Sequence, residues 1–136
     1  MIIHLHLQEN LAVLSLQSTL DSLHKRGYRP ALGHAPLKEN LAAGLIKITE
    51  WDSSKPLIDL MCGSGSLLIE GVSNSLSIPN IQKNYLFENW LDFNKNIFNQ
   101  EILKTKNTVP VKPNFEKVIG CEIDKEVFLQ AKNNIS

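Results

Sequence analysis

Polar and apolar positions alternate along the first residues of the chain. Ile3, Leu5 and Leu7 fall on one side of an extended segment, and two histidines fall on the other. A less regular alternation follows a polar Gln-Glu-Asn stretch. Two such runs around a turn predict a β-hairpin over residues 2–16. We interpret the histidine side as a solvated strand face rather than a metal site.

Further along, apolar residues recur every three or four positions, which is the period of a helix. Pro36–Ile48 is the first predicted helix, with Pro36 at its first position. The apolar run Leu57–Leu60 predicts a buried strand. A second helix is expected to begin at Ser66, whose hydroxyl would cap it.

Residues 73–116 are rich in Asn and Ser, and we interpret them as an insertion lying over the edge of the sheet. A loop is predicted from Thr105 to Phe115, where two prolines occur. Before it, one amphipathic helix is predicted from the spacing of Trp90, Phe93, Ile97, Phe98 and Ile102.

The strand-and-helix pattern repeats at the end of the chain. Lys117–Ile123 predicts a second buried strand, and Asp124 is placed to cap a final helix. This order predicts an α/β fold with a Rossmann-like, doubly wound parallel sheet. We divide the chain into a hairpin with its connector at 1–30 and the first half of a larger domain at 31–136.

The composition is that of an ordinary globular domain of 136 residues, with 14 basic and 14 acidic side chains. A net charge of zero provides no overall field to attract phosphate backbones. No apolar run approaches the ~20 residues that span a bilayer, and the start of the chain does not resemble a secretion signal. The two cysteines make neither a disulfide framework nor a zinc site, which favours reduced thiols and a cytoplasmic protein.

A basic cluster, His24–Arg29, follows the hairpin. Its composition would suit a phosphate contact with a stacking aromatic. We favour the alternative that these side chains tie the connector to the domain.

The candidate chemistry begins where the first buried strand ends. Asp59 is followed by a loop containing Gly63 and Gly65, and then by a helix. Glycines let a backbone pass close to a ligand, but nicotinamide and flavin domains use similar loops. Leu68 breaks the dinucleotide spacing. A carboxylate at the loop entrance suits the ammonium and sulfonium of S-adenosylmethionine, which carries no phosphate.

Glu122, at the end of the second predicted strand, is the other candidate. A carboxylate there can accept both ribose hydroxyls, as it does in dinucleotide domains. Cys62 is interpreted as a small loop residue rather than a nucleophile, because no His/Asn pair is placed to activate it.

Three stretches together resemble the THUMP-domain-associated methyltransferases that modify the exocyclic N2 of guanine in large-subunit ribosomal RNA. They are LHKRGYRPALGHAPLKENLAAGL, PLIDLMCGSGSLLIEG, and YLFENWLDF leading to VIGCEIDKEVFLQAKNNI. Members have often been labelled N6-adenine-specific DNA methylases. The resemblance implies a class I methyltransferase fold with S-adenosylmethionine as cofactor. It implies cofactor contacts at Pro36, Leu37, Lys38, Asp59, Met61, Cys62, Gly63, Ser64, Gly65 and Glu122.

The chain departs from the family in two ways. Leu60 and Ser66 stand where the loop usually has Pro and Thr. The Asn-Pro-Pro-Tyr motif that would hold the target amino group is absent, as is the THUMP module upstream. The expectation is therefore a partial fold that ends before its later strands, with no catalytic residue and no metal ligand assigned. We expect it to be inactive alone, to reach ribosomal RNA through parts missing from this chain, and to avoid membranes.

Three alternatives remain. The first is a fragment of a DNA adenine-N6 methyltransferase, which would bind the same cofactor in the same way. A non-catalytic binding or assembly remnant would self-associate or pair with the missing half, because a sheet cut after two strands leaves unpaired edges. A nicotinamide-dependent domain is the third.

Overall fold

The computed structural model describes residues 2–28, 37–81, 85–107 and 111–135. Short 3₁₀ turns occur at Leu86–Asn89 and Phe115–Lys117. The strands and helices, in chain order, are β1 (Ile3–Gln8), β2 (Leu11–Leu16), α1 (Glu39–Ile48), β3 (Leu57–Asp59), α2 (Ser66–Ser75), α3 (Lys95–Lys106), β4 (Val118–Gly120) and α4 (Lys125–Ile135).

The strands form two separate pairs. β1 and β2 are antiparallel, which confirms the predicted hairpin. β3 and β4 are parallel, with Ile58 opposite Ile119, and α2 between them in the chain packs on both strands. A parallel pair joined by a crossover helix is the βαβ unit, so the predicted α/β fold is confirmed.

The buried apolar residues lie on α1, α2 and α4. α1 packs against α2. At Gly71, where α2 passes closest to β3, a Cβ would lie 2.8 Å from Leu57 Cδ2. The core is small and consists of Ala42, Ile46, Leu68 and Ala131.

α1 begins later than the sequence predicted. Its first residue is Glu39, and Lys38 is the N-cap in an extended conformation. Leu37 therefore precedes the helix, and Pro36 lies outside the described residues. Glu39 in the first turn and Lys47 in the last turn match the helix dipole, which explains why the helix is stable from this point.

The two other predicted caps have opposite outcomes. The cap at Ser66 is wrong, because Ser66 is already helical and the N-cap is Gly65, which has no side chain to offer. The cap at Asp124 is confirmed. Its Oδ1 accepts hydrogen bonds from the backbone N–H groups of Glu126 at 2.8 Å and Val127 at 3.1 Å.

The helix in the insertion is also displaced. α3 starts only after Asn94. The Asn94 side chain accepts hydrogen bonds from the backbone N–H groups of Asn96 and Ile97 and so caps the helix there. It continues through Thr105, part of the predicted loop. Trp90 and Phe93 precede it and pack with other rings in an aromatic cluster of Tyr85, Phe87, Trp90, Phe93 and Phe98. The strand predicted over Lys117–Ile123 is confined to β4.

The predicted insertion contacts the connector, and its end folds back on the end of α2; its position over the sheet edge stays a prediction. Phe87 N–H donates to the carbonyl of Ser18 at 3.2 Å, and Tyr85 pairs with Thr19 in an isolated bridge. Val111 N–H donates to the carbonyl of Ser75 at 2.9 Å. Backbone groups of the connector, free to pair after the hairpin ends, account for this position.

A buried carboxylate ties the connector to α2. Glu70 is only 4% exposed. Its Oε1 lies 2.9 Å from Arg26 Nε and accepts a hydrogen bond from the Tyr28 hydroxyl at 3.0 Å. The guanidinium N–H does not point along the contact, so this pair is an ion pair rather than a directed hydrogen bond. The structural interpretation of the basic cluster is confirmed for these two side chains.

Two apolar surfaces are left uncovered. Every residue of the hairpin from Ile2 to Leu16 is exposed. On the parallel pair, Ile58 and Ile119 are 55% and 44% exposed, although parallel sheets are normally covered on both faces. None of the described helices is long and apolar enough to cross a membrane.

Replacing Glu70 by Gln is expected to destabilise the chain by about 3 kcal/mol, because the half-buried Arg26 would lose its counter-charge. Urea denaturation followed by circular dichroism measures the change. Glu126→Gln, on the exposed side of α4, is the matched control and should change stability by less than about 0.5 kcal/mol. Equal stability of Glu70→Gln and the parent chain would show that this contact does not hold the connector.

Candidate functional site

The glycine loop connects β3 to α2 and is shaped by its own backbone. Asp59 Oδ1 accepts a hydrogen bond from Met61 N–H at 3.1 Å, and Gly65 N–H donates to the carbonyl of Cys62 at 2.8 Å. Gly63 and Gly65 have φ angles of 55° and 85°. This left-handed region is the one that glycine adopts at the lowest cost, because a Cβ is unfavourable there.

The two glycines face different surroundings. A Cβ on Gly63 would meet nothing within 4 Å, so that side of the loop is open to a ligand. A Cβ on Gly65 would touch Ile69, Ala131 and Ile135 at 3.6–3.7 Å. The Cβ position of Gly65 therefore faces α2 and α4, whereas that of Gly63 faces open space; a cofactor contact at either glycine stays a prediction.

Glu122 lies directly against this loop. Its Oε2 accepts a hydrogen bond from Gly63 N–H at 2.9 Å, and its Oε1 accepts one from Asp124 N–H at 3.0 Å. An ionised carboxylate has about four acceptor positions, so each oxygen retains capacity for another donor. The two candidate parts of the site, 59 residues apart in the chain, are brought together.

The strand ends are joined beyond the parallel pair itself. Cys121 N–H donates to the carbonyl of Asp59, and Cys62 N–H donates to the carbonyl of Cys121, both at 2.8 Å. These bonds hold Asp59 and Glu122 at one edge of the sheet. The carboxyl ends of parallel strands are where α/β folds bind ligands.

The electrostatic character of the loop is negative. The pKa of the Cys62 thiol is raised, first by burial and then by the charges of Asp59 and Glu122. The thiol therefore stays protonated at neutral pH, which agrees with a packing role rather than a nucleophilic one. The same two carboxylates would stabilise a positively charged ligand beside the loop.

The remaining expected site residues differ in exposure. Met61 is 86% exposed, Cys62 is half-buried, and Ser64 is 8% exposed. Leu37 is half-buried and Lys38 is exposed, just before α1. Pro36 lies outside the described residues. The described contacts of α1 are with α2. Contact of Leu37 and Lys38 with a cofactor therefore stays a prediction.

Two residues of the site were missed by the sequence reasoning. Asn134 Nδ2 donates to the carbonyl of Ser64 at 3.0 Å in a buried position, so α4 holds the loop from behind. At Gly120, a Cβ would lie 2.7 Å from Leu68 Cδ1 and 3.0 Å from Cys62 Sγ. The sequence did offer a signal for each residue. Asn134 is a polar residue on an otherwise apolar face of its helix, and Gly120 is a glycine inside a strand.

An apolar cavity of about 450 Å³ lies behind the loop between α2 and α4. Leu68, Val72, Phe128 and Ala131 are among its lining residues. An apolar wall gives no compensation for a charge, so the cavity does not extend the acidic site.

Comparison with known proteins gives relatives over almost the whole chain. A Synechocystis protein, described as a putative RNA methyltransferase, is 40% identical over 135 residues, covering 98% of this chain and 35% of the relative. The ribosomal RNA large subunit methyltransferase K/L of Vibrio cholerae is 40% identical over 138 residues, covering 97% of this chain and 19% of the relative. The chain thus spans about a third and about a fifth of these two proteins.

Solved structures share the fold. A methyltransferase structure that contains SAH superposes with a TM-score of 0.80 at 29% identity, covering 97% of this chain and 34% of the neighbour. A Listeria monocytogenes protein, described as a predicted N6-adenine-specific DNA methylase, superposes with a TM-score of 0.77 at 29% identity, covering 97% and 35%.

The model of one protein family matches residues 26–136, which include Arg26 and Glu70, the glycine loop and Glu122. The match covers far more than half of the sequence and confirms the resemblance to RNA methyltransferases seen in its motifs. The chain belongs to the family of RMKL-like methyltransferase domains.

Proposed function

We propose that this chain is the cofactor-binding half of an S-adenosylmethionine-dependent methyltransferase that modifies the exocyclic amino group of a guanine in ribosomal RNA. The observation that supports it most is the hydrogen bond from Gly63 N–H to Glu122. It joins an open glycine loop to an acid suited to ribose, with a second acid, Asp59, at the loop entrance.

Each residue has a distinct task in this proposal. Glu122 uses its remaining acceptor positions for the two ribose hydroxyls. Asp59 stabilises the cationic part of the cofactor, and Gly63 leaves room for it. When bound, the cofactor supplies a methyl group to an attacking amino nitrogen. The protein contributes alignment and exclusion of water rather than covalent catalysis.

RNA is the proposed substrate because the Synechocystis and Vibrio relatives are named RNA methyltransferases. The name of the Listeria neighbour favours the second candidate, adenine-N6 methylation of DNA. Both reactions have the same cofactor chemistry, so this half of the site does not separate them. Action on ribosomal RNA would place the protein in the cytoplasm, where two free cysteines remain reduced.

The surface area supports the idea of a half-domain. The chain exposes 10369 Å², whereas a compact monomer of its mass of 15.3 kDa would expose about 7,100 Å². Ile58 and Ile119 form an exposed apolar face on a sheet of only two parallel strands. We propose that the strands and helices of the remaining half pair with this sheet, and that parts outside this chain bind the RNA.

Titration with SAH tests the cofactor site. We expect weak binding, with amide chemical-shift changes in ¹⁵N NMR spectra centred on the loop at Met61–Gly65 and on Glu122. Glu122→Gln should weaken binding about tenfold or more, because hydrogen bonds to a charged acceptor contribute about 1.5–3 kcal/mol each. Glu126→Gln, four residues away, should leave it unchanged.

The same titration, repeated with NAD, distinguishes the proposed S-adenosylmethionine site from a nicotinamide-binding site. NAD is expected to produce no saturable shifts at the loop, since the dinucleotide spacing is absent. Shifts with NAD but not with SAH, or SAH shifts remote from Glu122, would contradict the proposed site.

Methyl transfer from S-adenosylmethionine to unmodified ribosomal RNA should be absent for this chain alone, because its sequence contains no Asn-Pro-Pro-Tyr motif, which in the proposal holds the target amino group. Incorporation of a labelled methyl group measures it, with duplex DNA as the second acceptor. Addition of a polypeptide carrying the remaining half should restore transfer to RNA. Transfer by the chain alone would contradict the proposal of a cofactor-binding half, and restored transfer to DNA only would favour the second candidate.

A further inference from the structure

A polar side chain lies on the inner face of α4, behind the glycine loop. Val127, Ala131 and Asn134 follow each other at steps of four and three residues, so they share one face of the helix. Ala131 and Asn134 are both buried. Packing explains an alanine at such a position, whereas a buried asparagine has to be explained by the contact that its amide makes.

Asparagine is an unfavourable residue here for the helix alone. Its helix propensity is lower than that of Leu or Ala, and an amide buried without partners costs free energy. The compensating contact lies outside α4, where Asn134 Nδ2 donates to the carbonyl of Ser64 at 3.0 Å. This bond is buried, so water is a poor substitute for the amide. The hydrogen bond to the loop therefore accounts for the asparagine.

The glycine loop requires contacts of this kind. Its turn is closed by Gly65 N–H, which donates to the carbonyl of Cys62 at 2.8 Å, and both Gly63 and Gly65 have positive φ angles. Glycine reaches several backbone regions at similar cost, so the loop sequence alone does not select one conformation. Contacts from other elements have to select it.

Two side chains from different elements hold the turn. Glu122, just after β4, accepts a hydrogen bond from Gly63 N–H at 2.9 Å, and Asn134 holds the carbonyl of Ser64. The peptide group between Gly63 and Ser64 thus lies between two anchored peptide groups. The Cβ position of Gly63 faces open space, so a ligand that approaches there meets a backbone whose direction is already set.

We infer that Asn134 is a positioning residue, which holds the glycine loop in its ligand-binding conformation through the carbonyl of Ser64. A loop without this anchor would become ordered only when the ligand binds, and the cost of ordering would lower the affinity. The consequence for SAH rests on the proposed function. The effect on the loop does not, because it exists before any ligand is present.

Asn134→Leu separates the loop contact from packing. Leucine is similar in size and favours the helix more than asparagine does, but it cannot donate to Ser64. The variant should keep the circular dichroism spectrum of the parent. In ¹⁵N NMR spectra without ligand, amide exchange at Gly63 and Gly65 should become about fivefold faster, as for the loss of one neutral hydrogen bond. Exchange at Ala42, in the core between α1 and α2, should be unchanged.

Titration with SAH measures the consequence for binding. The dissociation constant should rise about fivefold in Asn134→Leu, for the same reason. Asn99→Leu makes the same substitution at an exposed position of α3 and should change neither amide exchange nor SAH affinity. Asn134→Ala, measured in the same way, takes the place of the leucine variant if that variant does not fold.

Unchanged exchange at Gly63 and Gly65 in a folded Asn134 variant would overturn the inference, as would unchanged affinity for SAH. Loss of the fold in both variants, or exchange that accelerates at Ala42 as much as in the loop, would show a role in stability alone and would also overturn it. A parent chain that does not bind SAH would contradict the proposed function instead. The exchange measurements would then still decide whether Asn134 holds the loop.

Discussion

The candidate site depends on a single constraint, which is that the loop after β3 must stay against the end of β4. The hydrogen bond between Gly63 N–H and Glu122 provides it directly. Cys121 extends the strand pairing beside it, and Asn134 holds the carbonyl of Ser64 from behind. Backbone donors and one carboxylate thus set the loop geometry before any ligand is present. Pre-set polar groups of this kind reduce the ordering cost of binding.

The same loop explains why the acids remain together. Burial raises the pKa of the Cys62 thiol, and the charges of Asp59 and Glu122 raise it further, so both carboxylates act on this loop. Backbone N–H groups compensate by donating to both, from Met61 to Asp59 and from Gly63 to Glu122. The remaining negative field has an evident use if the ligand is cationic. An anionic dinucleotide would meet repulsion at this edge.

Stability in this chain is distributed unevenly. Around α1 and α2, a small core is reinforced by the buried Glu70 and its contacts with Arg26 and Tyr28. The hairpin and the open face at Ile58 and Ile119 have no such support. Hydrophobic stabilisation scales with the apolar area removed from water. Covering these exposed surfaces would therefore stabilise the chain further. They are where association with other polypeptide surfaces would contribute most.

The sequence by itself determined the element order, the hairpin, the Asp124 cap and the identity of the candidate acids, because these depend on local periodicity and short-range hydrogen bonding. The family resemblance was also visible in the sequence, because its motifs occur in the same order as in the family. Only the tertiary structure decided that Gly63 faces open space while Gly65 packs on α4, and that Asn134 holds the loop. Those facts depend on contacts between residues far apart in the chain. The start of α3 was misjudged for a local reason, because the side chain of Asn94 caps the helix there. Trp90 and Phe93, whose spacing had suggested an earlier start, pack with other aromatic rings before the helix begins.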